Sequence, residues 1–194
     1  EVALSIIIPA YNEEHRLPST LDRLFHYMRE HFDRPYEIIV ANDGSRDKTA
    51  TIVRELAKSH SELRLIDFPK NRGRGAVVRD AMRDAKGTYI LQTDADGSAG
   101  EEAIVRFVAY FDAHAEVHML IGSRLCPGAK ILTPQPFFRV FLGYAFVVLA
   151  MILFGWKFED RVNGFKMFRR NVAHDIYRHQ YSNRQFTAGR DDCG

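Results

Sequence analysis

The sequence has little to offer chemistries that run on sulfur, on paired histidines or on a strong net charge. Of its 194 residues only two are cysteine, Cys126 and Cys193, far apart and in no C-x-x-C arrangement. That spacing argues against a zinc site or a disulfide framework and for a reducing, cytoplasm-facing setting. The eight histidines show no paired catalytic spacing, so each is expected at the surface or in the core. With 27 basic and 25 acidic residues the formal charge is only +2. A nucleic-acid footprint needs a larger or clustered basic excess, so no nucleic-acid partner is expected and any phosphate affinity is local. The opening Glu1-Val2-Ala3-Leu4 lacks a basic n-region and an apolar h-region, and no secretory signal is read there. No internal repeat or low-complexity tract is present. The apolar run Val140 to Trp156 is slightly shorter than the about 20 residues a membrane crossing needs, and Gly143 interrupts it, so a crossing is not favoured and a buried core helix is the plainer alternative to an interfacial one.

What is present is alternation. A hydrophobic content of 46% over this length is enough for one well-buried α/β domain. Leu4-Ser5-Ile6-Ile7-Ile8 is a β-branched run of the kind buried on both faces of a sheet. Leu17, Leu21, Leu24, Phe25, Met28 and Phe32 then recur at helical spacing, with Pro18 and Ser19 as start signals. The pattern continues as strand 37–41, helix 48–58, strand 63–68, helix 75–85, strand 89–93, helix 101–111 and strand 119–122. Such alternation predicts right-handed βαβ units, hence a doubly wound, mostly parallel sheet with helices on both faces. Ligands of such sheets bind beyond the carboxyl ends of the strands.

Those ends are polar. After the fourth strand, Asp94 and Asp96 are alternate residues of an extended segment, so both carboxylates can face one cation. Mg2+ or Mn2+ takes oxygen ligands and neutralises a diphosphate. A bare D-x-D is more often an Asp-rich turn, and it is the company of the other polar strand ends that points to a metal here. After the second strand, Asp43 can accept from a nucleotide base, while Ser45 or Asp47 can cap the next helix; turn and cap alone is the plainer alternative. Tyr11 can pack on a base or ribose and Glu13 can accept from it, unless both serve local packing. Gly73-Arg74-Gly75 opens a helix whose N-terminus favours anions. It is no dinucleotide fingerprint, because Val78 stands where G-x-G-x-x-G needs glycine.

Taken in order, Ile6-Ile7-Ile8-Pro9-Ala10-Tyr11-Asn12-Glu13-Glu14, Asn42-Asp43-Gly44-Ser45-Arg46-Asp47, Asn71-Arg72-Gly73-Arg74-Gly75, Asp94-Ala95-Asp96-Gly97 and Gly122-Ser123-Arg124 resemble the motif series of family 2 glycosyltransferases. Arg16-Leu17-Pro18, the Asp-Ala-Asp-Gly form and the segment Asp160 to Lys166 are most similar to the polyprenyl-phosphate sugar synthases, and among them to the dolichyl-phosphate glucosyltransferase branch. The resemblance implies a GT-A type fold and inverting transfer of a hexose, glucose from UDP-glucose, to a polyprenyl (dolichyl-type) phosphate. It implies a donor site of Pro9, Ala10, Tyr11, Glu13, Asp43, Ser45, Gly73 and Arg74 with Asp94 and Asp96, the last two holding Mg2+ or Mn2+. It further implies Asp96, Arg124, Arg139 and Asp160 as catalytic residues, the two arginines clamping the acceptor phosphate. Residues 1–135 would form the nucleotide-sugar and metal-binding core. Residues 136–194 would form an acceptor segment and tail of the same domain, with Val140 to Trp156 lying against a membrane surface and the active site facing the cytoplasm.

This chain departs from the family in places. Asn42 stands where Asp is frequent, Arg74 where Lys is frequent, and Ser98 where the mannose synthases have a metal-assisting Gln. The middle of Asp160-Arg161-Val162-Asn163-Gly164-Phe165-Lys166 also differs, and the likeness fades after Phe168. An acceptor phosphate is already ionised and needs no general base. A soluble glycan or protein acceptor would need one, for which Asp160 is the candidate. A non-catalytic nucleotide-sugar-binding protein is the third alternative.

Overall fold

β1 (Leu4–Ala10) is buried at every position and lies between two parallel neighbours, β2 (Tyr36–Asn42) and β4 (Tyr89–Gln92). A strand so placed has no solvent face, which is why its sequence is apolar at every position but Ser5 rather than alternating. Its side chains still divide by parity: Leu4, Ile6, Ile8 and Ala10 join one core cluster and Ile7 the other. Full burial contributes about 1.5–3 kcal/mol per large aliphatic side chain, so β1 anchors both layers.

The structure, a computed structural model, describes residues 1–97, 100–122 and 164–179. α1 (Leu17–His31) follows β1, with Pro18 in its first turn and Leu17, Leu21, Leu24, Phe25 and Met28 turned inward. After β2 come α2 (Thr49–Leu56) and β3 (Leu63–Asp67), then α3 (Arg74–Asp84), β4, α4 (Glu102–Ala113) and β5 (Met119–Ile121). β6 (Lys166–Arg169) and α5 (Arg170–His179) close the described chain. Residues of α1, α2 and α4 pack in the cluster of Ile6, Ile38 and Leu91. Those of α3 and α5 pack in the cluster of Ile7, Ile39 and Ile90. Helices therefore cover both faces, as the alternation predicted.

The six-stranded sheet runs β3-β2-β1-β4-β6-β5. β1 to β4 are parallel, whereas β6 pairs antiparallel with β4 and separates it from β5. Neither β6 nor α5 is legible in the alternation. β6 is short, with Met167 in one cluster and Phe168 in the other, and reads as a strand only once β4 is beside it.

Two charged devices tie the elements together. Glu37, 8% exposed, accepts from the Ser5 hydroxyl at 2.6 Å, the Lys86 N–H at 2.8 Å and the Arg64 guanidinium at 2.8 Å. Burial alone would raise its pKa, but these donors together hold it below the ordinary carboxylate value. Arg169 closes α4: its guanidinium donates to the carbonyls of Phe111 at 3.0 Å, His114 at 2.9 Å and Val117 at 2.7 Å. The first two are acceptors that the helix end leaves open, and the third fixes the turn leading to β5.

Contacts group Glu1–Leu120 and the described residues from Gly164 onward into one unit, and Ile121–Asn163 into a second. All these elements belong to the first except the last residue of β5. Ser98, Arg124, Arg139, Asp160, both cysteines and the run Val140 to Trp156 lie outside the described residues. Among the described residues no helix is long and apolar enough to cross a membrane.

Candidate functional site

The loops after β1 and β2 are stitched to each other. Asn12 adopts a left-handed backbone, φ 56°, a conformation that asparagine tolerates better than most residues. Its N–H donates to Ser45 Oγ at 2.9 Å, and its side-chain oxygen accepts from the Arg46 N–H at 2.9 Å. The Glu14 N–H donates to Asp47 at 3.1 Å, and Glu14 in turn accepts from the Lys48 N–H at 3.0 Å. Burial works to raise the Asp47 pKa, but the Thr49 hydroxyl and N–H with the Glu14 N–H hold it low. Asp47 thus anchors the start of α2, as expected of a cap. Glu13, expected to face a ligand, forms a two-pronged pair with Arg16, both contacts 2.8 Å, and Tyr11 is exposed.

The structure accounts for Asn42. Its amide donates to Asp67 at 2.6 Å, across the β2–β3 pairing, while its oxygen accepts from the Ser45 hydroxyl. An aspartate at this position would set two carboxylates face to face.

Asp43, 4% exposed, governs the third loop. Its two oxygens accept the N–H groups of Arg72 at 2.6 Å and Gly73 at 3.0 Å. Gly73 has φ 88°, a conformation natural to glycine, and hands the chain into α3 with Arg74 as its first residue. A carboxylate has about four acceptor positions, so Asp43 keeps capacity toward a ligand after clamping the loop.

The fourth strand end meets the third. The Arg74 guanidinium pairs with Asp94. Thr20 of α1 donates to the Ala95 carbonyl at 2.9 Å, and the Gly97 N–H turns back on the Asp94 carbonyl at 3.2 Å. Gly164, just ahead of β6, lies against Asp94 so closely that a Cβ there would come within 2.3 Å of a carboxylate oxygen. The sequence pattern does not single out Gly164 as a site residue; its place in the segment Asp160 to Lys166 is the one local signal. A shallow cleft floored by Ile8, Leu24, Ile104 and Phe165 opens beside Asp94 and Gly97.

Asp94 is half-buried and Asp96 exposed. Their hard oxygens suit Mg2+ or Mn2+, a guanidinium already stands on Asp94 in the manner of a cation, and glycine keeps space open beside it. On these observations the residues fit a divalent ion. Among the described residues no three His, Cys, Asp or Glu side chains gather around one point. An ion here would therefore take further ligands from outside that set. The structure brings together Asn12 with Ser45, Asp43 with Gly73, and Arg74 with Asp94. Pro9 and Ala10 are the buried last residues of β1, opposite Ala41 and Asn42.

A family model, Glycosyl transferase family 2, matches residues 5–177. The chain belongs to this family. Among curated family members, it is 35% identical over 193 residues to the dolichyl-phosphate beta-glucosyltransferase ALG5C of Trichomonas vaginalis, covering 95% of this chain and 57% of that one. It is 30% identical over 180 residues to the Homo sapiens dolichyl-phosphate beta-glucosyltransferase, covering 88% and 56%. The chain thus spans a little over half the length of these relatives. Its fold is that of GT-A glycosyltransferases. The mannosyltransferase PcManGT from Pyrobaculum calidifontis, in complex with GDP-Man and Mn2+, superposes with a TM-score of 0.62 at 22% identity, over 89% of this chain and 46% of that one. S. aureus TarS 1-349 in complex with UDP-GlcNAc gives 0.59 at 21% identity, over 90% and 47%.

Proposed function

We propose that this chain is the catalytic domain of an inverting transferase that moves glucose from UDP-glucose to a dolichyl-type polyprenyl phosphate at the cytoplasmic face of a membrane. The observation that carries the donor half is the meeting of the Asp-Ala-Asp strand end with the N-terminus of α3, through Arg74 and Asp94. Carboxylates for a cation and a helix start with an arginine for phosphate are the two things a nucleoside diphosphate needs. The acceptor half is supported by the names of the curated relatives.

In this reading Asp94 and Asp96 hold Mg2+ or Mn2+, which when bound neutralises the leaving diphosphate. Tyr11 packs on the nucleoside, with Pro9, Ala10, Glu13, Asp43 and Ser45 shaping its cradle. Gly73 and Arg74 bring backbone N–H groups and a guanidinium to the diphosphate. Arg124 and Arg139 hold the acceptor phosphate. Its oxygen forms the new bond to the anomeric carbon as the bond to the diphosphate oxygen breaks, with inversion. The nucleophile arrives ionised, so no general base is required; Asp160 is the candidate base only if the acceptor is a soluble hydroxyl. Residues 1–135 form the donor and metal core, to which β6 and α5 add a strand and a helix, and the rest of residues 136–194 supplies the acceptor and membrane-facing segment.

The test is to incubate the protein with Mn2+, dolichyl phosphate and labelled UDP-glucose or GDP-mannose, and to extract the lipid phase. Label is expected in lipid from UDP-glucose. Label that enters only soluble products, or never leaves the nucleotide, overturns the acceptor assignment.

A further inference from the structure

We propose that Arg74 is an exchangeable counter-ion: it neutralises Asp94 until a divalent cation displaces it, and then it binds the donor diphosphate, so that cation and nucleotide binding are coupled through one side chain. The inference rests on the donor-site reading above and adds to it a mechanism of loading.

Its first ground is electrostatic. Arg74 is the first residue of α3, and the first turn of that helix contains no acidic side chain. A cation there opposes the helix dipole and is stabilised only by an anion beside it. Asp94 is that anion in this structure. A divalent ion settling on the same carboxylate would face the guanidinium at close range, and like charges there exclude one another unless one leaves.

The second ground is mobility of one end and fixity of the other. The Arg74 side chain is 52% exposed and that of Asp94 31%, so water and salt screen their pair and it is readily exchanged. The Arg74 backbone, by contrast, follows Gly73, whose N–H is held by buried Asp43. The guanidinium can therefore leave Asp94 while its Cα stays at the start of α3, where backbone N–H groups favour phosphate. A diphosphate provides the anion that the departing arginine needs, and by linkage whatever nucleotide gains from the cation, the cation gains from nucleotide.

The experiment is calorimetric titration of wild type, Arg74→Gln and Arg74→Lys with Mn2+ alone, UDP alone, and each in the presence of the other, with a melting curve on every sample. Arg74→Gln is expected to bind Mn2+ alone more tightly than wild type and to bind UDP more weakly once Mn2+ is present. The factor by which UDP raises Mn2+ affinity should fall about tenfold. Arg74→Lys keeps the charge but loses the planar fork, so it should stay near wild type for Mn2+ alone and weaken UDP. It carries the test if the glutamine variant does not fold. An unchanged coupling factor, or weaker Mn2+ binding in Arg74→Gln, overturns the exchange while leaving the donor site intact. Failure of the wild type to bind either Mn2+ or UDP overturns the donor-site reading itself.

Discussion

At the scale of single residues, the clearest case is Asn42, buried at 1% exposure and bonded to Asp67 and Ser45. The amide is suited to its place because it donates to one partner while accepting from the other. Asn42→Asp is therefore expected to destabilise the fold by about 1–3 kcal/mol at neutral pH, since the new carboxylate loses the donor and faces Asp67. Urea midpoints at neutral and acid pH would check this, with the deficit shrinking as the carboxylates protonate. A variant as stable as wild type at neutral pH would show that the Asn42 to Asp67 bond carries no weight. Gly164 and Gly73 also act at this scale, one by leaving room beside Asp94 and the other by turning the chain into α3.

At the scale of elements, Glu37 joins β1 through Ser5, β3 through Arg64 and the turn before β4 through Lys86. Its folded pKa is lowered from 4.5, so the stability it contributes is fully present above about pH 4.5 and is lost as pH falls through the folded value. Glu37→Gln is expected to cost about 2 kcal/mol at neutral pH and to flatten the acid limb of the stability profile. Denaturant unfolding from about pH 3 to about pH 7 reads both effects. A variant that retains the full wild-type acid dependence would assign that dependence to other carboxylates. This end of the sheet lies opposite the polar strand ends, so the substitution should leave nucleotide affinity unchanged.

At the scale of the whole molecule, the polar strand ends lie along one edge of the sheet, and binding of the proposed donor and cation there should register as global stability. Mn2+ with UDP at about 100 times its dissociation constant is expected to stabilise the fold by about 2.7 kcal/mol, read as a rise in melting temperature. Asp96→Ala should remove the metal-dependent part of the rise, read as the difference between melting temperatures with and without Mn2+ for each protein. A metal-dependent rise that survives in this variant would place the cation elsewhere.

Much of this architecture is written locally. Buried β-branched runs, helical repeats such as Leu17, Leu21, Leu24 and Met28, and polar residues at strand ends each span one element, so period and composition suffice to predict β1 to β5 and α1 to α4. The Asp94 and Asp96 pair and the Gly73 loop are local in the same sense. Which of these ends meet is a matter of strand order and chain return. Asn42 finds Asp67, Asp43 finds Gly73 and Arg74 finds Asp94 because parallel strands bring residues 20 to 30 positions apart to the same edge. β6 is more distant still in sequence: a short segment, it becomes a strand by pairing antiparallel with β4, and it thereby carries Gly164 to Asp94. The sequence by itself determined the elements and the chemistry at their ends, because both follow from side chains a few positions apart. The tertiary structure alone decided which charges face one another, because that depends on long-range pairing that no local period records.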